Sequence, residues 1–424
     1  MNFWIIHAQE PLPEASKIAT RRLWRSNTLA EMLAARGHQV VRWRSSYSHY
    51  EKRYLVDGPL NVRFENYKFQ FLVGPSYRCH VGHARVRHHR EIANQFAAIA
   101  AKSDHRPDVI HVCNVPIELC RAAVDFGVKH GVPVVIDVRD LWPDLFLDLV
   151  PKALSLFRPF VKLCLLSHYR NAAYAMQRAT AITGITRPFV DWGLRLGNRR
   201  ATEVDQVFHM SYPDLRGSAT YGRSDQDVAT KLNLMADDIV CCYFGAVGYQ
   251  SDFETLIRAA RLVEGKSKLK FVICGHGPKL SSLRSKAKGL ANMIFPGWLE
   301  AKEVNALMGI ATVGLIPFKE KDNYVLNMPN KFSEYLSGGL ILACGLRGEM
   351  ARLIDQHRCG FVYPTGDAVA LARKLDELTR LSSVEVDVMR ENARLLFQSQ
   401  FNYKIVYRRL CDYLEQLPAR IVNE

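Results

Sequence analysis

Three stretches carry the side chains best suited to chemistry. The first is DVRDLWPD (137–144), in which three carboxylates and one arginine close an apolar run that reads as a buried strand. At such a strand end Asp140 can act as a general base or as an electrostatic stabiliser of a cationic transition state. Arg139 can grip a phosphate or carboxylate through two N–H groups. The plainer alternative is a capped helix start with a surface ion pair. Three carboxylates also raise Mg²⁺, against which the adjacent guanidinium argues. The second stretch is YVLNMPNKFSEYLSGGLILACG (324–345). A turn-rich loop leads into Phe332, Tyr335 and Leu336 at helical spacing; Gly338 and Gly339 end the helix, and a buried strand follows. Lys331 and Glu334 then sit in the first turns of a short helix, beside Asn330, at the edge of a sheet. Helix N-termini there favour phosphate. One cation for a pyrophosphate and one carboxylate for a sugar hydroxyl make a nucleotide-sugar site; a capped helix with a solvated Lys–Glu pair is the alternative. The third feature is a pair of strand-to-helix turns, FGAVGYQSD (244–252) and FVICGHGP (271–278). Gly245, Gly248, Gly275 and Gly277 let a backbone approach a ligand closely. The first turn holds no Lys or Arg, so a phosphate there relies on backbone N–H groups and the helix dipole. Neither turn has the third glycine of the dinucleotide fingerprint.

The elements that position these residues alternate. Strands are expected over 3–8, 39–43, 63–72, 108–113 and 132–138, with helices ending near 35 and spanning 86–101 and 116–130. The second half repeats the pattern, with strands over 239–245, 269–274, 293–295, 313–317 and 340–344 and helices over 252–263 and 278–288. This alternation predicts α/β, doubly wound parallel sheets with their ligand loops on one edge. A chain of 424 residues should form two domains. We expect an N-terminal domain over 1–210, a Gly/Pro/Ser-rich linker over 211–225, a C-terminal domain over 226–398, and a last helix over 399–424 that returns to the first domain. Its stripe is Tyr403, Val406, Leu410, Tyr413, Leu414 and Leu417. Two such domains with a cleft between them suit an enzyme that joins two substrates.

The ten cysteines are scattered without a Cys-x-x-Cys pair, which reads as reduced core residues rather than a disulfide framework or zinc site. No apolar run is long enough to span a bilayer, and the N-terminus reads as a first strand, not a signal peptide. The net charge of +15 calls for an anionic partner: nucleic acid, an anionic membrane surface or a phosphorylated substrate. No nucleic-acid-binding module accompanies it, so nucleic acid is set aside. CHVGHARVRHHR (79–90) suggests metal through His80 and His83, but its arginines would repel a dication; a basic surface facing an anionic acceptor explains it better, and a solvated basic helix start better still. Residues 151–178 interleave Leu154, Phe157, Phe160, Val161, Leu163, Leu165 and Leu166 with Lys152, Arg158, Lys162 and Arg170. They suit equally a helix on an anionic membrane and a core helix with a basic outer face.

Taken in order, LAEMLAARGHQVVRW, SYSHYEKRYLVDG, VVIDVRDLWPDLF, FGAVGYQSDFETLIRAA, VICGHGPKLSSL, FPGW, VGLIPF and MPNKFSEYLSGGLILACG resemble the family 4 glycosyltransferases over nearly the whole chain. The nearest likeness is to the bacterial branch that builds capsule, O-antigen and exopolysaccharide. The resemblance implies a GT-B fold, with two Rossmann-like domains facing a cleft and C-terminal helices packed back. It implies transfer, with retention and without a metal or cofactor, from a UDP or GDP sugar to a glycan or lipid-linked acceptor. It places the enzyme in the cytoplasm or peripherally at the inner face of the membrane. Glu334 matches the second Glu of the family's Glu-x7-Glu pair, which holds the donor ribose. Gly275, Gly277 and the turn from Phe295 to Gly297 match loops lining the nucleotide, Asp140 falls in the motif facing the donor sugar, and residues 11–16 match the acceptor loop. The chain departs from the family at Leu326, where the first Glu would fall, and at Ala246 and Ser251, where the phosphate-binding Arg and Lys would fall. Arg139 stands for the usual His, and residues 11–16 lack the usual glycines. Lys331 is therefore expected to supply the missing cation. Arg21, Arg22, His49, Lys52 and Arg139 are the expected acceptor contacts. A sugar-nucleotide epimerase of the same fold, or a silent glycan-binding subunit, are the competing readings.

Overall fold

The structure is a computed structural model and describes residues 1–13, 24–56, 58, 61–64, 66–79, 81–216, 225–265 and 268–422. It divides into two compact units, one of Met1–His209 with the chain from Tyr407 onward, the other of Met210–Val406. Each is built on one sheet.

The first sheet holds β1 (Asn2–Ile6), β2 (Gln39–Ser45), β3 (Asn61–Phe64), β4 (Tyr67–Leu72), β5 (Val109–Cys113), β6 (Val134–Val138) and β7 (Ala181–Gly184) in the order β3-β4-β2-β1-β5-β6-β7. All pairs are parallel except β3 with β4. The single strand expected over 63–72 is thus a hairpin, with Phe64 paired to Tyr67. β5 and β6 are buried at every position, which is why VIHVC and VVIDV show no alternation. β7, four residues long, had no signature strong enough to be expected.

The second sheet holds β8 (Ile239–Phe244), β9 (Leu269–Cys274), β10 (Met293–Gly297), β11 (Val313–Ile316), β12 (Ile341–Cys344) and β13 (Gly360–Val362), ordered β10-β9-β8-β11-β12-β13 and wholly parallel. Along β8 the side chains alternate between two cores. Val240, Cys242 and Phe244 pack on one face with Tyr335 and Leu336, and Cys241 and Tyr243 on the other with Phe253 and Leu256. In each sheet the strand order reverses about a central strand, β1 in the first and β8 in the second. That reversal is where open α/β sheets form a ligand crevice.

The final helix, Tyr403–Val422, buries Val406, Leu410, Tyr413, Leu414 and Leu417. Its later part is tied into the first unit by Arg36, which reaches Asp412 at 2.7 Å and Glu415 at 3.0 Å, and by the Tyr413 hydroxyl on the Val204 carbonyl at 2.8 Å. Residues 217–224 of the expected linker lie outside the described residues. Among the described residues no helix is long and apolar enough to cross a membrane.

Candidate active site

In the second unit, three strand-end turns are laced together. The Gly245 N–H donates to the Cys274 carbonyl at 3.1 Å, Val247 to His276 at 2.8 Å, and Gly275 to Gly297 at 2.7 Å. Gly245 and Gly275 have φ of +130° and +134°, and a Cβ on Gly275 would fall on the Gly245 carbonyl oxygen. On the other side the same loop is tied to the end of β11: Asp252 N–H donates to the Pro317 carbonyl at 2.6 Å, and Lys319 N–H to Gln250 at 3.0 Å. Gly275→Ala is therefore expected to lower stability by about 1–3 kcal/mol through backbone strain. Chemical denaturation measures this, and an unchanged midpoint would mean that the turns relax freely.

Into this switch point comes the helix Asn330–Gly338. Its buried side is Phe332, Tyr335 and Leu336, with Tyr335 seated over Gly314 and its hydroxyl donating to the Leu315 carbonyl at 3.3 Å. That seating aims the half-buried Lys331 back at the loop after β8. The Lys331 ammonium lies 4.8 Å from the Tyr243 ring centre and 5.9 Å from that of Phe318, and a Cβ on Gly245 would be 2.7 Å from Nζ. The glycine is thus what admits the ammonium, and two aromatic faces hold it. Glu334 lies half-buried one turn on, and Asn330 opens the helix. Gly248 faces the Gln250 side chain, and the Phe295 carbonyl accepts from Arg284 at 2.9 Å. The positions that departed from the family are occupied otherwise. The Ala246 carbonyl accepts from the Tyr243 hydroxyl at 2.7 Å, and Ser251 is buried in a bridge to Phe318. Sequence reading missed Tyr243 and Phe318, and also Lys279, whose ammonium lies 5.0 Å from the Tyr249 ring centre.

The first unit has its own polar centre at the switch point between β1 and β5. Glu10 is buried and accepts the N–H groups of Ser26 at 3.0 Å and Asn27 at 3.1 Å, which caps the helix Arg25–Ala35. It also takes Arg139 at 2.6 Å and Arg42 at 3.3 Å. Burial favours the neutral acid, but the pull of the Arg139 and Arg42 guanidiniums and the Ser26 N–H holds Glu10 well below the usual carboxylate range. Arg139 is thus engaged with a carboxylate of the protein itself. The three carboxylates of DVRDLWPD have separate surroundings. Asp137 grips Arg25 at 2.8 and 3.0 Å and accepts from Thr183 at 3.1 Å. Asp144 accepts from the Tyr169 hydroxyl at 2.5 Å and the Trp192 indole at 2.7 Å. Burial pushes the Asp140 carboxyl up to about 6, against the pull of Arg139 and Arg85. Asn114 fixes this turn, donating to the Asp140 carbonyl at 2.7 Å and accepting from the Arg139 N–H at 3.0 Å.

His49 and Lys52 meet at Tyr77, with His49 Nδ1 2.9 Å from the hydroxyl and the Lys52 ammonium 4.9 Å from the ring centre. Arg85, one of the basic residues of the 79–90 stretch, hydrogen-bonds Tyr77, feels the Asp140 charge and lies over the Trp142 ring at 4.8 Å. Arg21, Arg22, His80 and residues 14–16 of the expected acceptor loop lie outside the described residues. Among the described residues no three His, Cys, Asp or Glu side chains gather as a metal site.

Two doubly wound α/β units, the second with a cation and laced glycine turns at its switch point, define a GT-B fold. Residues 24–207 match the glycosyl transferase 4-like domain and residues 238–380 the glycosyl transferases group 1 model, and the chain belongs to these glycosyltransferase families. Over 124 residues it is 31% identical to the amylovoran biosynthesis glycosyltransferase AmsK of Erwinia amylovora, a match covering 28% of this chain and 30% of that one. The chain spans less than two fifths of the length of the curated relatives it matches. Its fold is that of the sucrose-phosphate synthase of Thermosynechococcus elongatus, at a TM-score of 0.71 and 15% identity over 99% of both chains. It is also that of Anabaena Alr3699/HepE in complex with UDP-glucose, at a TM-score of 0.64 and 12% identity over 98% of this chain and 100% of that one.

Proposed function

We propose that the protein transfers a glycosyl group from a nucleotide-diphosphate sugar, of UDP or GDP type, to a glycan or lipid-linked acceptor in cell-surface polysaccharide synthesis. The observation that carries this reading is the Lys331 ammonium, seated against Gly245 at the switch point of the second sheet. It stands where a pyrophosphate needs positive charge and where Ala246 and Ser251 offer none. Glu334, one turn on, takes a ribose hydroxyl, and the turns at Gly245, Gly248, Gly275, Gly277, Phe295 and Gly297, with Asn330, line the nucleotide. The UDP-glucose in the Anabaena structure supports the donor class, and AmsK supports the polysaccharide setting. In the reaction the bond from the sugar C1 to the diphosphate oxygen breaks, the acceptor oxygen bonds to C1 with retention, and the acceptor proton is released. Lys331 balances charge on the departing diphosphate, so the step calls for no metal. On the acceptor side we assign His49 and Lys52, with Arg139 setting the turn that carries Asp140.

The test is thermal denaturation with UDP, GDP, ADP and their sugar conjugates. One base should raise the Tm by a few degrees at millimolar ligand, in proportion to its affinity. No rise with any of them would remove the donor site. Asp140 acts as the base for the acceptor hydroxyl or as negative charge beside a cationic transition state, and both roles need the ionised form. With its pKa pushed up to about 6 by burial, kcat/KM should fall roughly tenfold per pH unit below that value. Asp140→Asn should abolish this acid limb, and a wild-type profile flat across it would exclude the role.

A further inference from the structure

Residues 151–178, which by pattern suit a membrane helix and a core helix equally, do not form a single helix, and only their last part, from Ala172, enters the core. They comprise a 3₁₀ turn (Lys152–Phe157), a short helix (Arg158–Cys164) and a longer one (Leu166–Arg178). The longer helix buries Ala172, Ala175 and Met176 and packs on the helix Ile117–His130. The short helix buries nothing. Leu156 is 91% exposed, Phe160 and Leu163 64%, Phe157 58%, Leu154 48% and Leu166 39%. Positions 157, 160, 163 and 166 recur every third residue, so the ridge is continuous in sequence. Elsewhere in the protein phenylalanines such as Phe3, Phe96, Phe189 and Phe271 are fully buried. An apolar ridge of this size on a protein surface marks a place where something else covers it.

The charges around the ridge say what. Arg158, Lys162 and Arg170 are exposed among its apolar side chains. Between Asp148 and Asp191 the sequence contains no Asp or Glu. A second copy of the chain would bring these cations against themselves, as a two-fold contact repeats the same patch on both sides. An anionic lipid surface complements both features at once. Phe and Leu enter the boundary between headgroups and acyl chains, while guanidinium and ammonium groups remain with the lipid phosphates. We propose that the ridge from Leu154 to Leu166, with Arg158, Lys162 and Arg170, is a docking surface for an anionic bilayer. This goes beyond the enzymatic reading and does not depend on it.

The test is sedimentation of the full chain with vesicles of phosphatidylcholine alone and with about one third phosphatidylglycerol. Wild type should pellet with the anionic vesicles only, and less so as salt is raised. A triple variant, Phe157→Ser, Phe160→Ser and Leu163→Ser, should bind at least about tenfold more weakly. So should Arg158→Glu with Lys162→Glu, and both should keep the wild-type Tm because the changed side chains are exposed. Wild-type binding in the triple variant would overturn the proposal, since the overall positive charge would then account for attachment. Equal binding to neutral vesicles would overturn it as well. Absence of vesicle binding, with a wild-type dimer that the triple variant dissociates, would assign the ridge to a second copy.

Discussion

Glu10→Gln should destabilise the first unit by about 3–5 kcal/mol, the cost of leaving buried charge without its counter-charge. Arg42 is fully buried, and Glu10 is its carboxylate partner, as it is for Arg139. The substitution keeps the shape, so the loss reads charge rather than packing. It also weakens the cap on the helix Arg25–Ala35, where Ser26 and Asn27 now donate to an amide oxygen rather than a carboxylate. A fall in Tm on the order of 10 °C follows for a unit of this size. The check is denaturation of wild type, Glu10→Gln, Arg139→Met and the double variant. The double variant should recover part of the loss, because it removes one orphaned guanidinium. A loss of less than about 1 kcal/mol for Glu10→Gln would show that water reaches the centre and screens it. Acid behaviour follows the same charges. Glu10 and Asp137 are both held below their ordinary range, so the stability they contribute is present above the unfolded carboxylate pKa and declines as pH falls below it. Glu10→Gln should flatten that acid decline.

The alternation of strands and helices, and with it both sheets, was legible because parallel strands buried on both faces read as apolar runs between helical stripes. The strand-end glycines were legible too, since a turn that brings backbone against backbone admits little else. Other parts were hidden for physical reasons. Arg25 and Arg42 carry no signature in the sequence that singles them out. They are buried because Arg25 meets Asp137 and Arg42 meets Glu10, and pairings this distant along the chain leave no local pattern. β7 and β13 span four and three residues, too few for periodicity to show. The 151–178 stretch was undecidable, because an amphipathic stripe looks the same whether its apolar side meets protein or lipid. Lys331 was singled out for sharing a helix face with Glu334. What positions it is Gly245, a contact across the switch point that helical spacing does not reveal.

That contact makes Lys331→Met the second decisive variant. Methionine keeps the length and apolar stem, so it can still lie on Tyr243 and Phe318. The fold should survive with its Tm nearly unchanged. Only the ammonium is lost, and a charge-assisted hydrogen bond to a phosphate is worth about 1.5–3 kcal/mol. Affinity for the nucleoside diphosphate should drop roughly 10- to 150-fold, measured by calorimetry. The drop should be much smaller for the nucleoside, which has no phosphate to contact. Lys331→Arg separates charge from shape. Its wider head must fit where a Cβ on Gly245 would already be 2.7 Å from Nζ, so affinity should fall between wild type and Met. If Lys331→Met binds diphosphate and nucleoside as wild type does, the cation is a packing element. The charge for the pyrophosphate would then have to come from Lys279, which follows β9 and lies beside Tyr249 of the loop after β8. The contrast between diphosphate and nucleoside is what distinguishes these cases, since a general loosening of the loop would weaken both ligands alike.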